Sequence, residues 1–218
     1  MAEYVLSRRA VLTVLRLLQT KEGDADKDSV YERTIRNVFF PRLQTSDDVS
    51  CGPQSAPVRE LAHVWLIDER LVFHRPLGSD VPPSKLRGFL SDSSDPPDLV
   101  VFDPAFTVTD DPGHFGSATI VEFKRPGRND YGPSPKGDPI LQVVRHARAI
   151  RKSAIEGVDA AKKSIPHTAR LYAYIIADVT DTSSERIAAY GFIPMPDQRG
   201  VLLAPRAYEN HDRAYPMG

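Results

Sequence analysis

The sequence predicts an α/β fold in which a mixed β-sheet is sandwiched between helices. Three observations lead to this prediction. Two N-terminal segments carry apolar residues at helical spacing. Two strand-like segments around Leu99 and Val121 flank a turn-forming stretch, which is typical of an antiparallel pair. A helical segment, a third apolar strand and a last helix follow them, and this order indicates helices packed on a mixed sheet.

The N-terminal segments are predicted to be helices over residues 4–20 and 30–40. The first alternates apolar residues with Arg8, Arg9 and Arg16, so it is amphipathic. Pro41 limits the second, because proline cannot continue a helix. Glu32 lies in the first turn of the second helix, where it either favours the helix dipole or faces an active site.

The segments between residues 42 and 90 give weaker signals. Residues 42–57 are rich in Ser, Asp, Gly and Pro, which is typical of a loop. Residues 60–68 and 71–74 are apolar, and their periodicity leaves helix turn and strand both open. A short helix is predicted at 84–90, behind two prolines.

Two strands are predicted next, at residues 99–102 and 118–124. The loop between them contains Asp110-Asp111-Pro112-Gly113, a strong turn signal, so we expect the strands to pair antiparallel. Side chains alternate along a strand, so Glu122 and Lys124 share one face.

The second half of the chain begins with a loop over residues 127–138. Asp138 can cap a helix over 139–153, and Pro139 can take its first position. Residues 156–168 are polar and predict at most a short amphipathic turn.

The C-terminal part is predicted to contain one more strand and one more helix. Residues 170–179 are apolar almost throughout, which is typical of a central strand. A helix is expected at 183–190, and the proline-containing remainder has little periodicity.

The 218 residues are enough for one domain with a substantial core. We expect a single domain with an N-terminal helical part (1–57), a core (58–190) and an irregular tail (191–218). The single cysteine excludes an internal disulfide and a cysteine-rich zinc site, and it fits a cytoplasmic protein. No apolar window is long enough for a transmembrane helix, so no membrane partner is expected.

The charges are segregated, although the net charge is only −1. Residues 124–170 contain eleven Lys or Arg and four Asp or Glu, whereas residues 92–111 contain six Asp and no basic residue. This pattern suits metal ions beside phosphates, and it equally suits two solvated surfaces.

Burying Glu122 and Lys124 would cost free energy, because charged groups are rarely buried unless they are paired or coordinate something. Asp98 starts the neighbouring strand and can meet Glu122 at its end. Two carboxylates and the backbone carbonyl of Phe123 are the oxygen ligands that Mg²⁺ prefers. Lys124 would lie within reach of a water molecule bound to that metal ion. An exposed ion pair on an edge strand is the simpler alternative.

These residues resemble a known signature. Pro97-Asp98 followed by Glu122-Phe123-Lys124 is similar to the motif of the PD-(D/E)XK nuclease superfamily. Gln142, early in the next helix, matches the glutamine that many members place beside the lysine. Those members often have a tyrosine four residues later, where this chain has His146, which we expect to be a surface or packing histidine.

A narrower resemblance covers roughly residues 4–195. Five short segments look like the nuclease-like domain at the C-terminus of large bacterial proteins with a histidine-kinase-like (GHKL) ATPase module. They are Trp65–Leu71, Ser79-Asp80, Pro97-Asp98, Val121–Pro126 and Asp138–Val143, and Asp130-Tyr131 accompanies the fourth. No ATPase motif occurs in the chain, so a stand-alone relative and a detached domain both stay open.

The resemblance implies a restriction-endonuclease-like core with extra N-terminal helices, and a Mg²⁺-dependent (or Mn²⁺-dependent) nuclease acting on nucleic acid, most simply DNA. Asp98, Glu122, Lys124 and Gln142 would be catalytic, and Glu32 is a further candidate metal ligand. A bacterial defence or DNA-processing role, a GHKL-type ATPase partner and homo-oligomerisation are implied in the same way. Phosphate contacts are expected from basic residues, or these are merely solvated: Arg125, Arg128, Arg145 and Arg148. A catalytically inactive binding module or an ATPase-partner interaction module is the alternative.

Overall fold

The structure is a computed structural model. It describes residues 2–19, 28–50, 63–74, 76–86, 89–104, 115–134, 137–156, 162–165, 169–198 and 200–204. Cys51 and the predicted turn at Asp110-Asp111 lie outside these residues.

The described α-helices are α1 (Ala2–Gln19), α2 (Asp28–Phe39), α3 (Ser46–Ser50), α4 (Pro139–Lys152) and α5 (Asp181–Ala189). The described strands are β1 (Gln44–Thr45), β2 (Leu77–Ser79), β3 (Phe89–Leu90), β4 (Leu99–Pro104), β5 (Phe115–Phe123), β6 (Ala154–Glu156), β7 (Lys162–Ser164), β8 (Arg170–Ile176), β9 (Ile193–Pro194) and β10 (Leu202–Leu203). Short 3₁₀ helices cover Val64–Leu66, Glu69–Phe73 and Pro83–Lys85.

The main sheet is mixed. Within the described residues its order is β1-β2-β4-β5-β8, and β5 and β8 are parallel while the other neighbours are antiparallel. The predicted antiparallel pairing of the strands around Leu99 and Val121 is therefore confirmed. A small sheet of β3, β6 and β7 and a β9–β10 pair lie outside the main sheet.

Helices cover both faces of the main sheet, as the α/β prediction requires. Val121 and Phe123 point to the face covered by α2, where the Phe39 and Phe123 ring centroids are 4.7 Å apart. Ile120 points to the opposite face and packs with Ile150 of α4. The alternation of side chains along β5 thus supplies both halves of the core.

Several local predictions are corrected by the structure. Of the two structures that the pattern allows for 60–68 and 71–74, the described residues there show helical turns, in the form of 3₁₀ helices. The helix predicted at 84–90 is wrong: a 3₁₀ helix ends at Lys85, and strand β3 covers Phe89–Leu90. In the polar stretch 156–168, the residues that the structure describes are the end of β6 at Glu156, strand β7 and Ile165, and they contain no helical turn; residues 157–161 and 166–168 lie outside the described part. Pairing with β3 supplies the backbone partners that the local pattern did not reveal. In the predicted irregular tail, β9 and β10 form a two-residue antiparallel pair.

The strand predicted to be central lies at the end of the described sheet. β8 pairs with β5, and its side chains are exposed or half-buried. Tyr172 and Tyr174 are 43% and 39% exposed, although both are large. A tyrosine combines an apolar ring with a hydroxyl that water can satisfy, so it tolerates this position better than Ile or Phe. An apolar run by itself does not distinguish the two positions.

The start of α4 is fixed by a buried aspartate. Asp138 Oδ1 accepts hydrogen bonds from the backbone N–H of Ile140 (2.9 Å) and Leu141 (3.2 Å), and Pro139 takes the first helical position as predicted. The Tyr190 hydroxyl donates to Asp138 Oδ2 at 3.0 Å, which ties α4 to the end of α5.

We therefore predict that Asp138→Ala lowers the free energy of unfolding by about 2–3 kcal/mol. The substitution removes the helix cap, and it also leaves the Tyr190 hydroxyl without its buried acceptor. Urea denaturation followed by circular dichroism measures the change. Asp181→Ala is the matched control, since Asp181 is an exposed carboxylate in the first turn of α5. It should change stability by less than about 0.5 kcal/mol. Equal effects of the two substitutions would contradict the assignment.

Candidate active site

Asp98 and Glu122 meet where β4 begins and β5 ends. Leu99 pairs with Val121, and one step further along the antiparallel register places Asp98 opposite Glu122. Asp98 Oδ2 accepts a 2.7 Å hydrogen bond from the backbone N–H of Phe123, which holds the carboxylate against the end of β5. Both side chains are almost fully buried, with 7% and 6% of their surface exposed.

Lys124 connects Glu122 to helix α4. Its Nζ lies 2.6 Å from Glu122 Oε1 and 2.5 Å from Gln142 Oε1. Its backbone N–H donates to Ile176 O at 2.9 Å, so the residue is anchored to β8 as well. The structure thus brings together all four predicted catalytic residues, and the exposed edge-strand ion pair is not what it shows.

The ionisation of Asp98 is strongly influenced by its surroundings. Burial, and after it the negative charge of Glu122, raises the pKa of Asp98 to about 7. Arg36, the Phe123 N–H and Lys124 oppose this shift, because each stabilises the ionised carboxylate. Asp98 therefore holds a proton well above the pH at which an ordinary aspartate loses it.

Arg36 of α2 is a second cation at this site. Its Nη1 lies 2.9 Å from Asp98 Oδ1 and 2.9 Å from Asp80 Oδ1, and Nη2 binds the carboxylate of Glu32 one helical turn earlier. Burial is the largest single influence and acts to lower the pKa of Arg36. The three carboxylates together outweigh it, and the pKa is raised. The guanidinium therefore stays charged while buried.

Glu32 lies next to the site and contacts it through Arg36. Its contact with Arg36 separates it from Asp98, so the structure does not bring it into the same donor set as Asp98 and Glu122. Because α2 begins at Asp28, Glu32 is its fifth residue, and the prediction that it lies in the first turn is wrong. It faces the site only through Arg36.

Sequence reasoning missed Arg36 and Asp80 as site residues. Asp80 follows β2 in a left-handed backbone conformation (φ 52°), and its N–H donates to Asp98 O at 3.1 Å. Its carboxylate binds Arg42 in addition to Arg36. One signal was available: Glu32 and Arg36 have the i, i+4 spacing of a helical ion pair.

His146 is buried beside the carboxylates rather than on the surface. Its Nε2 lies 4.0 Å from Glu122 Oε2 and its Nδ1 lies 3.9 Å from Asp95 Oδ2. Burial lowers the pKa of His146, although Glu122 and Asp95 oppose the shift. The expectation of a packing histidine is met, and that of a surface histidine is wrong.

The four predicted phosphate-binding arginines fall into two groups. Arg125 and Arg128 follow β5, and both contact Asp130, at 3.8 and 2.6 Å. Arg145 and Arg148 lie on α4, where Arg145 Nε contacts Asp95 Oδ2 at 2.7 Å. The first group lies on the loop beyond the lysine, and the second lies on the helix that carries Gln142.

A divalent cation can be tested against these donors. Within the described residues, no group of three or more His, Cys, Asp or Glu side chains is arranged to hold a metal. Mg²⁺ needs fewer, because one or two carboxylates with water and substrate oxygens commonly suffice. Asp98 and Glu122 supply two. The Phe123 N–H points to Asp98, and N–H and C=O of one residue leave a strand on the same side, so its carbonyl points there too. The donor chemistry fits a hard cation.

Comparisons of the chain with protein-family models, with curated proteins and with solved structures find no significant match. None of the helices in the described part of the chain is both long and apolar enough to cross a membrane.

The raised pKa of Asp98 predicts a pH dependence of stability. The folded state keeps the proton up to about pH 7, whereas an unfolded aspartate loses it near pH 4. Between these values the folded state binds more protons, so the free energy of unfolding falls as pH rises, by at most about 1.4 kcal/mol per pH unit. Asp98→Asn should remove this slope. Urea denaturation at several pH values measures it, and parallel curves for the two proteins would contradict the shift.

Arg36→Ala should lower the free energy of unfolding by about 3–5 kcal/mol, because it leaves buried carboxylates without their shared cation. The loss should be smaller at pH 5, where Asp98 is protonated. Arg33→Ala, an exposed arginine on the same helix, is the control and should cost less than about 1 kcal/mol. Thermal and urea unfolding of both variants provide the comparison. A cost for Arg36→Ala no larger than that of the control would show that Arg36 is not needed.

Proposed function

We propose that this chain is a metal-dependent nuclease that hydrolyses phosphodiester bonds of nucleic acid, most simply DNA. The observation that carries the proposal is the joint burial of Asp98 and Glu122 with Lys124, whose ammonium is held between Glu122 and Gln142. A charged set of this kind is costly to bury, and such arrangements cluster at functional sites.

The order of the elements supports the same proposal. Of the main sheet's elements, β4, β5, helix α4 and strand β8 come in this chain order, and the two short strands β6 and β7 of the small sheet stand between α4 and β8. The carboxylates and the lysine lie where β4 starts and β5 ends. The order β4, β5, α4 and β8 is the strand, strand, helix, strand order that a restriction-endonuclease-like core requires. The last strand is parallel to β5, which needs the crossover that α4 supplies.

Asp98, Glu122 and the Phe123 carbonyl would hold Mg²⁺ or Mn²⁺. When bound, such an ion activates water and neutralises charge on the scissile phosphate. The protein's part is to orient the ligands. Asp98 is fixed by the Phe123 N–H and by Arg36, and Glu122 by Lys124. Each carboxylate oxygen can accept more than one bond, so these contacts leave acceptor capacity.

Lys124 is the residue that would serve the attacking water. An ammonium group has three N–H donors, and Glu122 and Gln142 accept two of them at 2.6 and 2.5 Å. The third is available to orient the water or a phosphate oxygen. Gln142 positions Nζ, and it approaches from α4 opposite to Glu122. Loss of either partner would let the flexible lysine stem move.

One observation favours the second candidate, a binding or ATPase-partner module with this fold and no turnover. Arg36 Nη1 already contacts Asp98 Oδ1 at 2.9 Å. A guanidinium therefore supplies positive charge to the carboxylate that would otherwise bind the metal ion. A site stabilised by this ion pair alone would bind nucleic acid without a metal requirement.

Cleavage assays separate the two candidates. Wild-type protein is incubated with single- and double-stranded DNA and RNA, with Mg²⁺, Mn²⁺ or EDTA. We expect metal-dependent cleavage, and a loss of roughly 10²–10⁴-fold in kcat for Lys124→Ala, the range of a lost proton-transfer group. Gln142→Ala should lose less, because it acts through the lysine.

Lys85→Ala is the matched control, since Lys85 is an exposed lysine in the 3₁₀ turn before β3. It should leave kcat unchanged. Absence of metal-dependent cleavage on every substrate, or equal activity of Lys124→Ala and the control, would reject the nuclease. Nucleic-acid binding that survives in EDTA without any cleavage would favour the binding module.

A further inference from the structure

A groove runs along the side of α4, away from the buried carboxylates. Its volume is about 540 Å³, and one wall is helix α4 while the other is the segment before β4. It is lined by Ser91, Asp92, Ser93, Leu141, Val144, Arg145, Arg148, Ala149, Lys152 and Ser153. The volume falls in the range of ligand-binding clefts.

Three cations follow one side of this groove. Arg145, Arg148 and Lys152 are three and four residues apart on α4, so they form a row on one face of the helix with about 5–6 Å between neighbouring Cβ atoms. The hydroxyls of Ser91 and Ser93 lie on the opposite wall, whereas the Ser153 hydroxyl donates to Ala149 O at 2.8 Å. Leu141 and Val144 add apolar surface. A row of cations beside hydroxyl groups suits a chain of phosphates, and apolar surface suits sugars and bases.

The groove lies beside the candidate active site on the same helix. Arg145 and Gln142 are one turn apart on α4, and Gln142 binds Lys124. Asp95 lies between the two places, since its Oδ2 contacts Arg145 Nε at 2.7 Å and lies 3.9 Å from His146 Nδ1. A strand seated along Arg148 and Lys152 would therefore reach the buried set past Asp95.

The burial of the site selects the form of the nucleic acid. Asp98 and Glu122 expose 7% and 6% of their surface, so a scissile phosphate must enter a recess. A duplex is wide and stiff, and its backbone cannot be drawn in without bending. A single strand is narrow and flexible.

We propose that the groove along α4 binds single-stranded nucleic acid and leads it to the site of the proposed nuclease. Arg145, Arg148 and Lys152 contact successive phosphates, and the Ser91 and Ser93 hydroxyls contact the same backbone. This inference rests on the proposed function for the direction of the strand, but binding in the groove is measurable without catalysis.

The test uses the full chain in EDTA with fluorescein-labelled oligo(dT), alone or annealed to oligo(dA), and fluorescence anisotropy at several salt concentrations. The logarithm of the binding constant falls linearly with the logarithm of the salt concentration. Removing two phosphate contacts should make this slope less steep by about 1.4 for the single strand. We therefore expect Arg148→Ala with Lys152→Ala to weaken single-strand binding about 20-fold near 0.1 M salt. Arg9→Ala with Arg151→Ala removes the same charge from α1 and from α4 outside the groove lining, and should have little effect.

Asp92→Asn provides a gain of binding that misfolding cannot mimic. Asp92 lines the groove, and its carboxylate repels a phosphate chain. We expect tighter single-strand binding for this variant. An unchanged slope for the groove variant, or equal weakening by the control pair, would overturn the groove; equal losses for single strand and duplex would overturn the single-strand class.

Cleavage, measured separately after Mg²⁺ is added, keeps the two proposals apart. Groove-dependent binding without cleavage rejects the nuclease and retains the groove. Lys124-dependent cleavage whose KM does not change in Arg148→Ala with Lys152→Ala retains the nuclease and rejects the groove.

Discussion

Two carboxylates buried at adjoining strand ends are the constraint on which the rest of this structure depends. A buried charge is tolerated when it has a partner, and each of the two carboxylates contacts a cation. Asp98 pairs with Arg36, which reaches the strand ends from α2, and Glu122 pairs with Lys124 of the same strand end. Helix α2 is thus held against the main sheet by an ion pair as well as by the packing of Phe39 on Phe123.

Helix α4 completes the set from the other face of the sheet. Gln142 and His146 are one turn apart, and they reach Lys124 and Glu122. Their position along the helix axis depends on where α4 begins, which the buried cap of Asp138 determines. Because Tyr190 also binds Asp138, the helix after β8 supports the same starting point. The site is therefore built on rigid elements, and distant residues control its geometry.

Local signals predicted the parts of the fold that local chemistry determines. Asp138 followed by Pro139 marks a helix start in any context, and the α4 boundary was predicted within one residue. The spacing of Asp98, Glu122 and Lys124 in the sequence predicted that these residues lie close together, and the structure has them close together. Arg36 was not predictable in the same way, because its long side chain reaches three carboxylates from different elements. The place of β8 in the sheet was also hidden, since an apolar run is compatible with either position.

The charge balance of the site explains why proton and metal would compete for it. Among the described residues four carboxylates share three cations there: Glu32, Asp80, Asp98 and Glu122 with Arg36, Arg42 and Lys124. The set is one positive charge short. Burial, and after it the charge of Glu122, raises the pKa of Asp98, and a proton on this carboxyl restores the balance. A divalent cation held by Asp98 and Glu122 would supply positive charge in place of that proton and release it. Metal affinity would therefore rise as the pH passes through about 7, because ligands must be deprotonated to bind. Arg36 need not leave, because it contacts Asp98 Oδ1 while the cation can use the remaining lone pairs.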